Sequence, residues 1–439
     1  MSRKARHRRI APAVSVGLRL IAFAYLIALI VGIVVYKAAF IESIPIDPYF
    51  ALYGLVVATY ILSRFALSLF YRRGKAHGIE PSVAIVVPAF NEEDAVIRTV
   101  KAALDVDYPA DRFELVAVDD GSTDRTGELL EELAASDWRL RLVRFEENRG
   151  KRAAMAAGIR ATDAEIVCFV DSDSVLDDDA VRVLVQRFAD PDVGAVCGHA
   201  DVLNVGDSLL TRMQAVRYFV AFKVIKAAES VFHAVTCCSG CFAGYRREAI
   251  MPHLEKWEHQ RFLGNPATFG DDRSLTNFVL RDWKVDYESA ARSRTIVPSG
   301  FKQFLTQQVR WKRSWTRESL IVGRFIWTKH PIAAVSTYVG VILPLLAPIT
   351  AARALFFEPI FGHGGTPLFY LLGIYAMALV YGLYYTIRHR RNDGLWVYGI
   401  LFVFFYLAFL VWQTYYAILT ASRTTWGTRP STHAAEASA

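Results

Sequence analysis

SVAIVVPAFNE, residues Ser82–Glu92, is the stretch that decides the fold, because a short valine-rich run there gives way to polar residues. Three later runs repeat the pattern: Leu115–Val118, Ile166–Val170 and Gly194–Gly198. Such runs are typical of strands buried in a parallel sheet. Helical stretches separate them, at Glu92–Leu104, Thr126–Ala135 and Lys151–Ile159. The alternation predicts a doubly wound α/β sheet between Pro81 and Ser299.

Acidic residues follow successive strands of this predicted sheet. Asp119 and Asp120 end the second strand, and Asp171 and Asp173 end the third. Ligands of doubly wound sheets bind beyond the carboxyl ends of the strands. Asp119 and Asp120 can therefore hydrogen-bond the base or ribose of a nucleotide. The alternative is structural, since Asp119–Asp124 also has the composition of a turn with a helix cap.

The triplet Asp171-Ser172-Asp173 has the composition of a divalent-metal site. On an extended backbone, residues two apart point to the same side, so we expect both carboxylates to face one ion. Carboxylates, phosphate oxygens and water suit Mg²⁺ or Mn²⁺, which would neutralise a diphosphate leaving group. The basic run Asn148–Arg152 opens a helix whose N–H groups suit the same diphosphate, with a solvated basic face as the alternative.

A second acidic pair, Asp271 and Asp272, follows a loop that contains Gly264 and Gly270. One of the two carboxylates can act as general base and deprotonate an acceptor hydroxyl. Paired carboxylates also serve glycoside hydrolases, in which two acids flank the scissile bond. The nucleotide-type residues upstream favour sugar transfer over hydrolysis.

Five apolar runs of membrane-spanning length flank this region. Two precede it and three follow it: Leu20–Phe40, Tyr49–Tyr71, Pro331–Phe357, Pro367–Ile387 and Leu395–Thr420. Each suits a hydrocarbon core of ~30 Å, and five together argue against buried core helices. Basic residues before the first run and after the second predict that the middle region is cytoplasmic. Arg64, inside the second run, is expected to reach the cytoplasmic edge rather than face the bundle interior.

Charge and cysteine content argue against other classes of protein. The net charge of +7 is concentrated at the membrane flanks, so it requires no nucleic-acid partner. All five cysteines lie in the middle region, where a cytoplasmic location disfavours disulfides. Their spacing lacks the paired C-x-x-C units of structural zinc sites.

Two helices are predicted beside the membrane. Leu209–Val231 has apolar residues at three- and four-residue steps and basic residues on other faces, which fits a membrane-surface helix or one in the domain core. Phe301–Trp315 carries QQVRW, residues Gln307–Trp311, and places Trp311 and Trp315 one helical turn apart. Tryptophan favours the membrane interface, and an anchor helix is compatible with a binding role for QQVRW.

The chain resembles the processive family 2 glycosyltransferases, membrane-bound enzymes with a GT-A catalytic domain, in the order of six motifs: VVPAFNE, VDDGSTD, NRGKRAA, DSD, GDDR and QQVRW. Within that family, Phe269–Asn277 followed by QQVRWKRSWTRES is most similar to hyaluronan synthases, and next to nodulation-type chitin-oligosaccharide synthases. The likeness covers Ser82–Leu320 and returns at Trp426–Arg429. It implies an α/β GT-A (Rossmann-like) domain combined with transmembrane and interfacial helices.

Carried over position by position, the resemblance implies a role for each site residue. Asp119 and Asp120 would hold the uridine, Lys151 the diphosphate, and Asp171 and Asp173 the metal ion. Asp272 matches the general base, and Ser239 and Gly240 match a turn of the acceptor pocket. Gln307, Arg310 and Trp311 match residues at the acceptor end and channel mouth, and Trp426 and Arg429 a loop that closes over the nucleotide. Cys241 departs from the proline that such synthases usually carry, which leaves the identity of the sugar open.

The resemblance and the apolar runs together predict five parts: a transmembrane hairpin (1–78), a GT-A domain (79–300), interfacial helices (301–330), C-terminal membrane helices (331–421), and a gating segment with the tail (422–439). The implied donors are UDP-GlcNAc and, if the polymer is hyaluronan, UDP-GlcUA. The implied product is a β-linked polysaccharide that crosses the plasma membrane. The alternatives are a GlcNAc homopolymer and a single transfer to polyprenyl phosphate.

The predicted C-terminal topology contains one conflict. If Leu395–Thr420 crosses the membrane completely, Trp426–Arg429 lies outside and cannot close over a cytoplasmic site. Twenty-six residues give ~39 Å of helix, which is too short for a hairpin that crosses twice. We therefore expect one C-terminal segment to be re-entrant or interfacial; the alternative is that the assignment of Trp426–Arg429 to a gating loop is wrong.

Overall fold

A computed structural model describes residues 48–362, 366–388 and 394–423, together with residues 20–35 except 22, 26, 33 and 34. Trp426 and Arg429 lie outside the described residues. The strands are β1 Val83–Ala89, β2 Phe113–Asp119, β3 Leu140–Arg144, β4 Ile166–Phe169, β5 Ser174–Leu176, β6 Val193–Val202, β7 Ala243–Arg246, β8 Arg261–Phe262, β9 Asn265–Pro266 and β10 Lys284–Thr295. The helices are α1 Pro48–Leu69, α2 Val96–Leu104, α3 Thr126–Ser136, α4 Lys151–Arg160, α5 Ala180–Val185, α6 Leu209–Val220, α7 Ala227–Ser230, α8 Arg247–Ile250, α9 Leu254–Glu258, α10 Asp271–Asp282, α11 Phe301–Gly323, α12 Pro331–Ala352, α13 Glu358–Phe361, α14 Thr366–Arg388, α15 Trp396–Phe405 and α16 Gln413–Leu419.

The centre of the α/β domain is an eight-stranded sheet in the order β3-β2-β1-β4-β7-β6-β10-β5. The four strands predicted from valine-rich runs are present as β1, β2, β4 and β6. The sheet is mixed rather than wholly parallel, because β7 is antiparallel to both β4 and β6, and β5 is antiparallel to β10. The short link of four residues after β4 leads to β5, which lies at the far edge of the sheet beside β10.

Apolar side chains alternate between the two faces of the sheet, as the period of a strand requires. Val86 packs on one face with residues of α4, and Val87 packs on the other with residues of α2. A Cβ on Gly158 would lie 2.3 Å from a methyl group of Val86, so α4 can approach β1 closely only because that residue is glycine. This approach holds the first turn of α4 beside the carboxyl ends of β1 and β4.

Three described helices are long and apolar enough to cross a membrane: Tyr49–Leu69, Pro331–Phe361 and Pro367–Ile387. They match three of the five predicted spans. The predicted span Leu395–Thr420 is instead a pair of helices, Trp396–Leu410 and Gln413–Leu419, bent by 47° at the break between them. The predicted span Leu20–Phe40 lies only partly within the described residues.

Arg64 is buried among the helices, which is the interior position that its sequence left as the alternative. Its side chain is buried and turns back toward Tyr60, one helical turn earlier, with the guanidinium carbon 5.4 Å from the centre of that ring. Side chains on a helix lean toward its N-terminus, which for α1 is the end away from the α/β domain. Arg64 Nε finds no hydrogen-bond partner within the part of the chain that the structure describes.

The predicted helix Leu209–Val231 forms α6, a π-helical segment at Ala221–Lys226, and α7. Val216 and Phe219 of α6 pack with Phe65 of α1 and with tyrosines of α14. Phe222 and Ala227 instead join the core of the α/β domain. The helix therefore joins the α/β domain to the apolar helices. Its second half lies in the domain core, as one of the two predictions from its sequence required, and its first half packs on the apolar helices.

Candidate active site

Asp119 lies at the carboxyl end of β2 with its side chain fully buried. Its Oδ1 accepts a hydrogen bond from the Ser122 N–H at 3.0 Å, and its Oδ2 lies 3.2 Å from Arg144 Nε. Among the described residues no group donates a well-aligned hydrogen bond to Oδ2, so the Arg144 contact is an ion pair only. Asp119 thus holds the turn after β2, and its contact with uridine stays a prediction.

Asp120 holds the loop that leads into α4. Its carboxylate accepts hydrogen bonds from the N–H groups of Arg149 and Gly150 at 2.8 and 3.0 Å, and from Asn148 Nδ2 at 3.0 Å. Burial raises the pKa of Asp120 to about 6, although the two N–H groups act in the opposite direction. The sequence missed this link, because the partners lie about thirty residues apart along the chain.

Lys151, Asp171 and Gly240 are in direct contact. Lys151 Nζ pairs with Asp171 Oδ1, and the Asp171 N–H donates to the Gly240 carbonyl at 3.0 Å. Burial alone would lower the pKa of Lys151, but the contact with Asp171 raises it above its usual value. A Cβ on Gly240 would lie 2.8 and 2.9 Å from the two carboxylate oxygens of Asp171. The predicted acceptor turn therefore packs directly on one of the predicted metal ligands.

Asp171 and Asp173 do not lie on extended backbone, so that part of the prediction is wrong. The chain turns here to bring β5 antiparallel to β10, and the Ser174 N–H donates to the Asp171 carbonyl at 2.9 Å. The two carboxylates are nevertheless close neighbours. Burial, together with the charges of Asp171 and Glu92, raises the pKa of Asp173 to about 6. Partly buried carboxylates that repel one another in this way fit a divalent cation, which would relieve the repulsion.

Asp272 is the second residue of α10 and is partly exposed. Its Oδ1 accepts a hydrogen bond from the Arg273 N–H at 2.7 Å, and Cys237 Sγ donates to its Oδ2 at 3.7 Å. Burial, with the charge of Asp272, raises the pKa of Cys237 to about 12, so this thiol stays protonated as a donor. Ser239 follows two residues later, and its hydroxyl donates to Cys241 Sγ at 3.6 Å. The predicted base and the predicted acceptor turn are therefore adjacent.

The QQVRW residues Gln307, Arg310 and Trp311 lie on α11, whose next turn packs against the start of α10. A Cβ on Gly270 would lie only 1.7 Å from Ser314 Oγ. Gly270 also has a φ of +77°, a left-handed conformation that disfavours other residues. Trp311 and Ser314 are three residues apart, so Trp311 lies one helical turn from the contact with Gly270.

The QQVRW turn is also tied to α6. Arg217 of α6 donates to Gln308 Oε1 at 2.7 Å, and its guanidinium lies 5.3 Å from the centre of the Trp311 ring. The Trp311 side chain keeps 38% of its surface exposed. One face of this ring therefore rests on a cation while part of it stays available for a ligand.

A polar cavity of about 150 Å³ lies next to Asp272, between the α/β domain and the apolar helices. The α/β domain contributes Glu229, Thr236 and Arg273, and α11 contributes Trp315. The apolar helices contribute Tyr60 of α1 and Ser336, Thr337 and Gly340 of α12. Arg273, the residue after the predicted base, therefore lines the same cavity as residues of two helices of spanning length.

Comparison with known proteins identifies relatives of this chain. The family model of glycosyl transferase family 2 matches residues 84–254. A hyaluronan synthase from Streptococcus pyogenes is 34% identical over 387 residues, which are 86% of this chain and 90% of that protein. An N-acetylglucosaminyltransferase from Azorhizobium caulinodans is 39% identical over 248 residues, which are 56% of this chain and 62% of that protein.

One solved structure has a similar fold. It is a mannosyltransferase from Pyrobaculum calidifontis in complex with GDP-Man and Mn²⁺, with a TM-score of 0.54 and 19% sequence identity. The alignment covers 86% of this chain and 100% of that one. The match confirms the predicted GT-A architecture, and at this identity it concerns the fold alone.

Proposed function

The chain belongs to glycosyl transferase family 2, and from this membership we propose that it is a processive, inverting synthase that transfers sugars from UDP-sugars onto a growing polysaccharide. Hyaluronan is the proposed product, made from UDP-GlcNAc and UDP-GlcUA. The alignment with the Streptococcus pyogenes hyaluronan synthase supports this choice, because it covers 90% of that protein. A GlcNAc homopolymer is the second candidate, which the 39% identity to an N-acetylglucosaminyltransferase favours.

The proposed reaction uses the residues that meet at the sheet edge. The donor diphosphate lies at the first turn of α4, where Lys151 and backbone N–H groups balance its charge. Asp171 and Asp173 would hold Mg²⁺ or Mn²⁺, which when bound supplies further neutralisation of the leaving UDP. Asp272 accepts the proton of the acceptor hydroxyl while that oxygen bonds to the anomeric carbon and the bond to UDP breaks. Attack opposite the leaving group inverts the anomeric configuration.

The polar cavity beside Asp272 is the observation that carries the polymerising function. Polar groups line this cavity between helices of spanning length, and Tyr60 and Trp315 offer the aromatic surfaces on which sugar rings can pack. A glycosyltransferase that makes one transfer to a lipid has no need of such a path. We place the α/β domain in the cytoplasm and the cavity at the start of the route that the polymer takes through the membrane.

Purified protein given labelled UDP-sugars, singly and in pairs, tests this proposal. Hyaluronan synthesis requires both UDP-GlcNAc and UDP-GlcUA, and its product is degraded by hyaluronan-specific lyase. Full-length polymer from UDP-GlcNAc alone, with no response to UDP-GlcUA, would replace hyaluronan by the GlcNAc homopolymer. A product of a single added sugar would refute processive synthesis.

A further inference from the structure

The first two residues of α4 point to opposite halves of the site. Lys151 pairs with Asp171 on the donor side. Arg152 instead pairs with Asp271, the residue that precedes the proposed base Asp272. The α4 helix therefore contacts both the metal-binding carboxylates and the helix that carries the base.

The Arg152–Asp271 pair is buried and geometrically restrained. Both residues are 5% exposed, and Arg152 Nε donates to Asp271 Oδ1 at 3.0 Å. Arg152 NH1 also donates to the Trp257 carbonyl at 2.9 Å and to Gln260 Oε1 at 2.8 Å. Trp257 in turn donates through its indole N–H to the Asp271 carbonyl at 3.3 Å. An arginine held by three acceptors in fixed directions cannot follow small movements of its partner.

The Asp272 side chain itself is held much more loosely. Its contacts in the described structure are the neighbouring Arg273 N–H and the long thiol contact from Cys237. Consecutive residues of an α-helix differ by ~100° in direction, so fixing the Asp271 carboxylate fixes the direction of Asp272. The same network reaches α11, because Gln260 Nε2 donates to Glu318 Oε1 at 3.2 Å.

We propose that the Arg152–Asp271 ion pair is a positioning element that sets the distance between the base Asp272 and the donor sugar. Neither residue touches the substrate. The pair fixes the start of α10 against the start of α4. This fixes the distance and direction between the acceptor oxygen and the anomeric carbon. This inference rests on the proposed transferase function and adds to it the way in which the two half-sites are aligned.

Two charge-conserving variants, Arg152→Lys and Asp271→Glu, test the proposal in the full-length protein. Lysine lacks the planar set of N–H donors of the guanidinium, and glutamate moves the carboxylate by one methylene. Both variants keep the buried charges paired. The expected result is a fall in kcat of about 10- to 100-fold with unchanged donor KM and unchanged UDP affinity, as misplacement of a reacting group produces. The matched control is Arg160→Met, because Arg160 is the last residue of α4 and its ion pair with Glu258 is distant from the site carboxylates. Its kcat should equal that of the wild type.

The double variant R152M/D271L separates positioning from simple support of the fold. Removing both charges together leaves no unpaired buried charge, so the melting temperature should return toward the wild-type value. The kcat should stay low, because the lock between α4 and α10 is absent. Recovery of kcat together with the melting temperature would overturn the proposal, and so would wild-type kcat in Arg152→Lys and Asp271→Glu. All rates are measured as UDP release, which follows sugar transfer to an acceptor or to water. A wild type that releases UDP but makes no polymer would refute the synthase function. The variants would still decide the role of the pair.

Discussion

Replacement of Gly240 by alanine should weaken the proposed metal site while leaving the fold almost intact. The added Cβ would lie 2.8 Å from Asp171 Oδ1, so the carboxylate must retreat by about 0.6 Å to reach an ordinary contact of 3.4 Å. The atoms that must move are the end of a side chain, and we expect a loss of stability of about 1 kcal/mol, at the low end for an added methyl group.

The same displacement is large for a metal ligand. Ligand distances in metal sites vary by only about 0.2 Å, and changes around a ligand commonly cost about 10- to 100-fold in metal affinity or activity. The Mn²⁺ concentration that gives half-maximal UDP release should therefore rise by about this factor in Gly240→Ala. Saturating Mn²⁺ should restore part of the lost rate, because the ion itself can help to reposition Asp171.

The assay is a Mn²⁺ titration of UDP release at fixed donor concentration, with the melting temperature measured in parallel. Gly206→Ala is the matched control, since no described atom lies within 4 Å of a Cβ at that position. An unchanged metal dependence in Gly240→Ala would refute the reasoning. A rate loss that saturating Mn²⁺ does not relieve, together with a large fall in melting temperature, would equally show that the alanine disturbs the fold rather than the ligand.

Three further predictions concern the base, the nucleotide loop and the C-terminal segment. Asp272→Asn should lower UDP release by about 10²- to 10⁴-fold with UDP binding retained, and polymer at the normal rate from this variant would remove Asp272 as the base. UDP affinity should fall as the pH drops through about 6, because a protonated Asp120 binds the N–H groups of Arg149 and Gly150 more weakly. In calorimetric titrations, Asp120→Asn should flatten this pH dependence. An equal pH dependence in the variant would assign it to another group. A cysteine at position 428 (Thr428→Cys) should resist a membrane-impermeant thiol reagent applied outside intact cells, and labelling there would place the C-terminal segment outside.

The strands and the acidic strand ends could be predicted because each depends on a short stretch of chain. A valine-rich run of four or five residues is buried in nearly any α/β context, and ligand groups follow its carboxyl end. The helix that carries QQVRW, with Trp311 and Trp315 one turn apart, follows from an equally local pattern. These features need no knowledge of what packs against them.

Features set by distant contacts could not be predicted. Arg152 and Asp271 are 119 positions apart, and nothing in either neighbourhood shows that the second aspartate of GDDR faces the site while the first faces inward. The turn at Asp171–Asp173 depends on the pairing of β5 with β10, which is more than a hundred residues away. The sequence does show that Gly240, which has no side chain, follows the small polar residue Ser239. Only the fold shows that the carboxylate of Asp171 occupies the space beside it.

The C-terminal segment shows how the topological conflict in the sequence can be resolved. Gly382 of α14 lies beside Trp396, and Tyr370, near the opposite end of α14, packs in one cluster with Tyr406. Helix α15 therefore runs antiparallel to α14, and Leu410, which follows it just before the bend, still packs with Leu210 of α6 and Phe304 of α11. Val411 then packs with Ala351, near the far end of α12.

After the bend, α16 runs beside α11, where Gln413 Nε2 donates to the Leu305 carbonyl at 3.5 Å. The Tyr415 hydroxyl donates to the Leu345 carbonyl, six residues nearer the start of α12 than Ala351. Arg313 of α11, one turn from QQVRW, then donates to the Thr420 hydroxyl at 3.0 Å. The segment begins beside α6, where Gly399 lies against Val216. It ends on α11 at Thr420. Both of its ends therefore lie on helices that border the site. We infer that residues 396–419 form a re-entrant segment whose end, at Thr420, lies against α11 beside the candidate site.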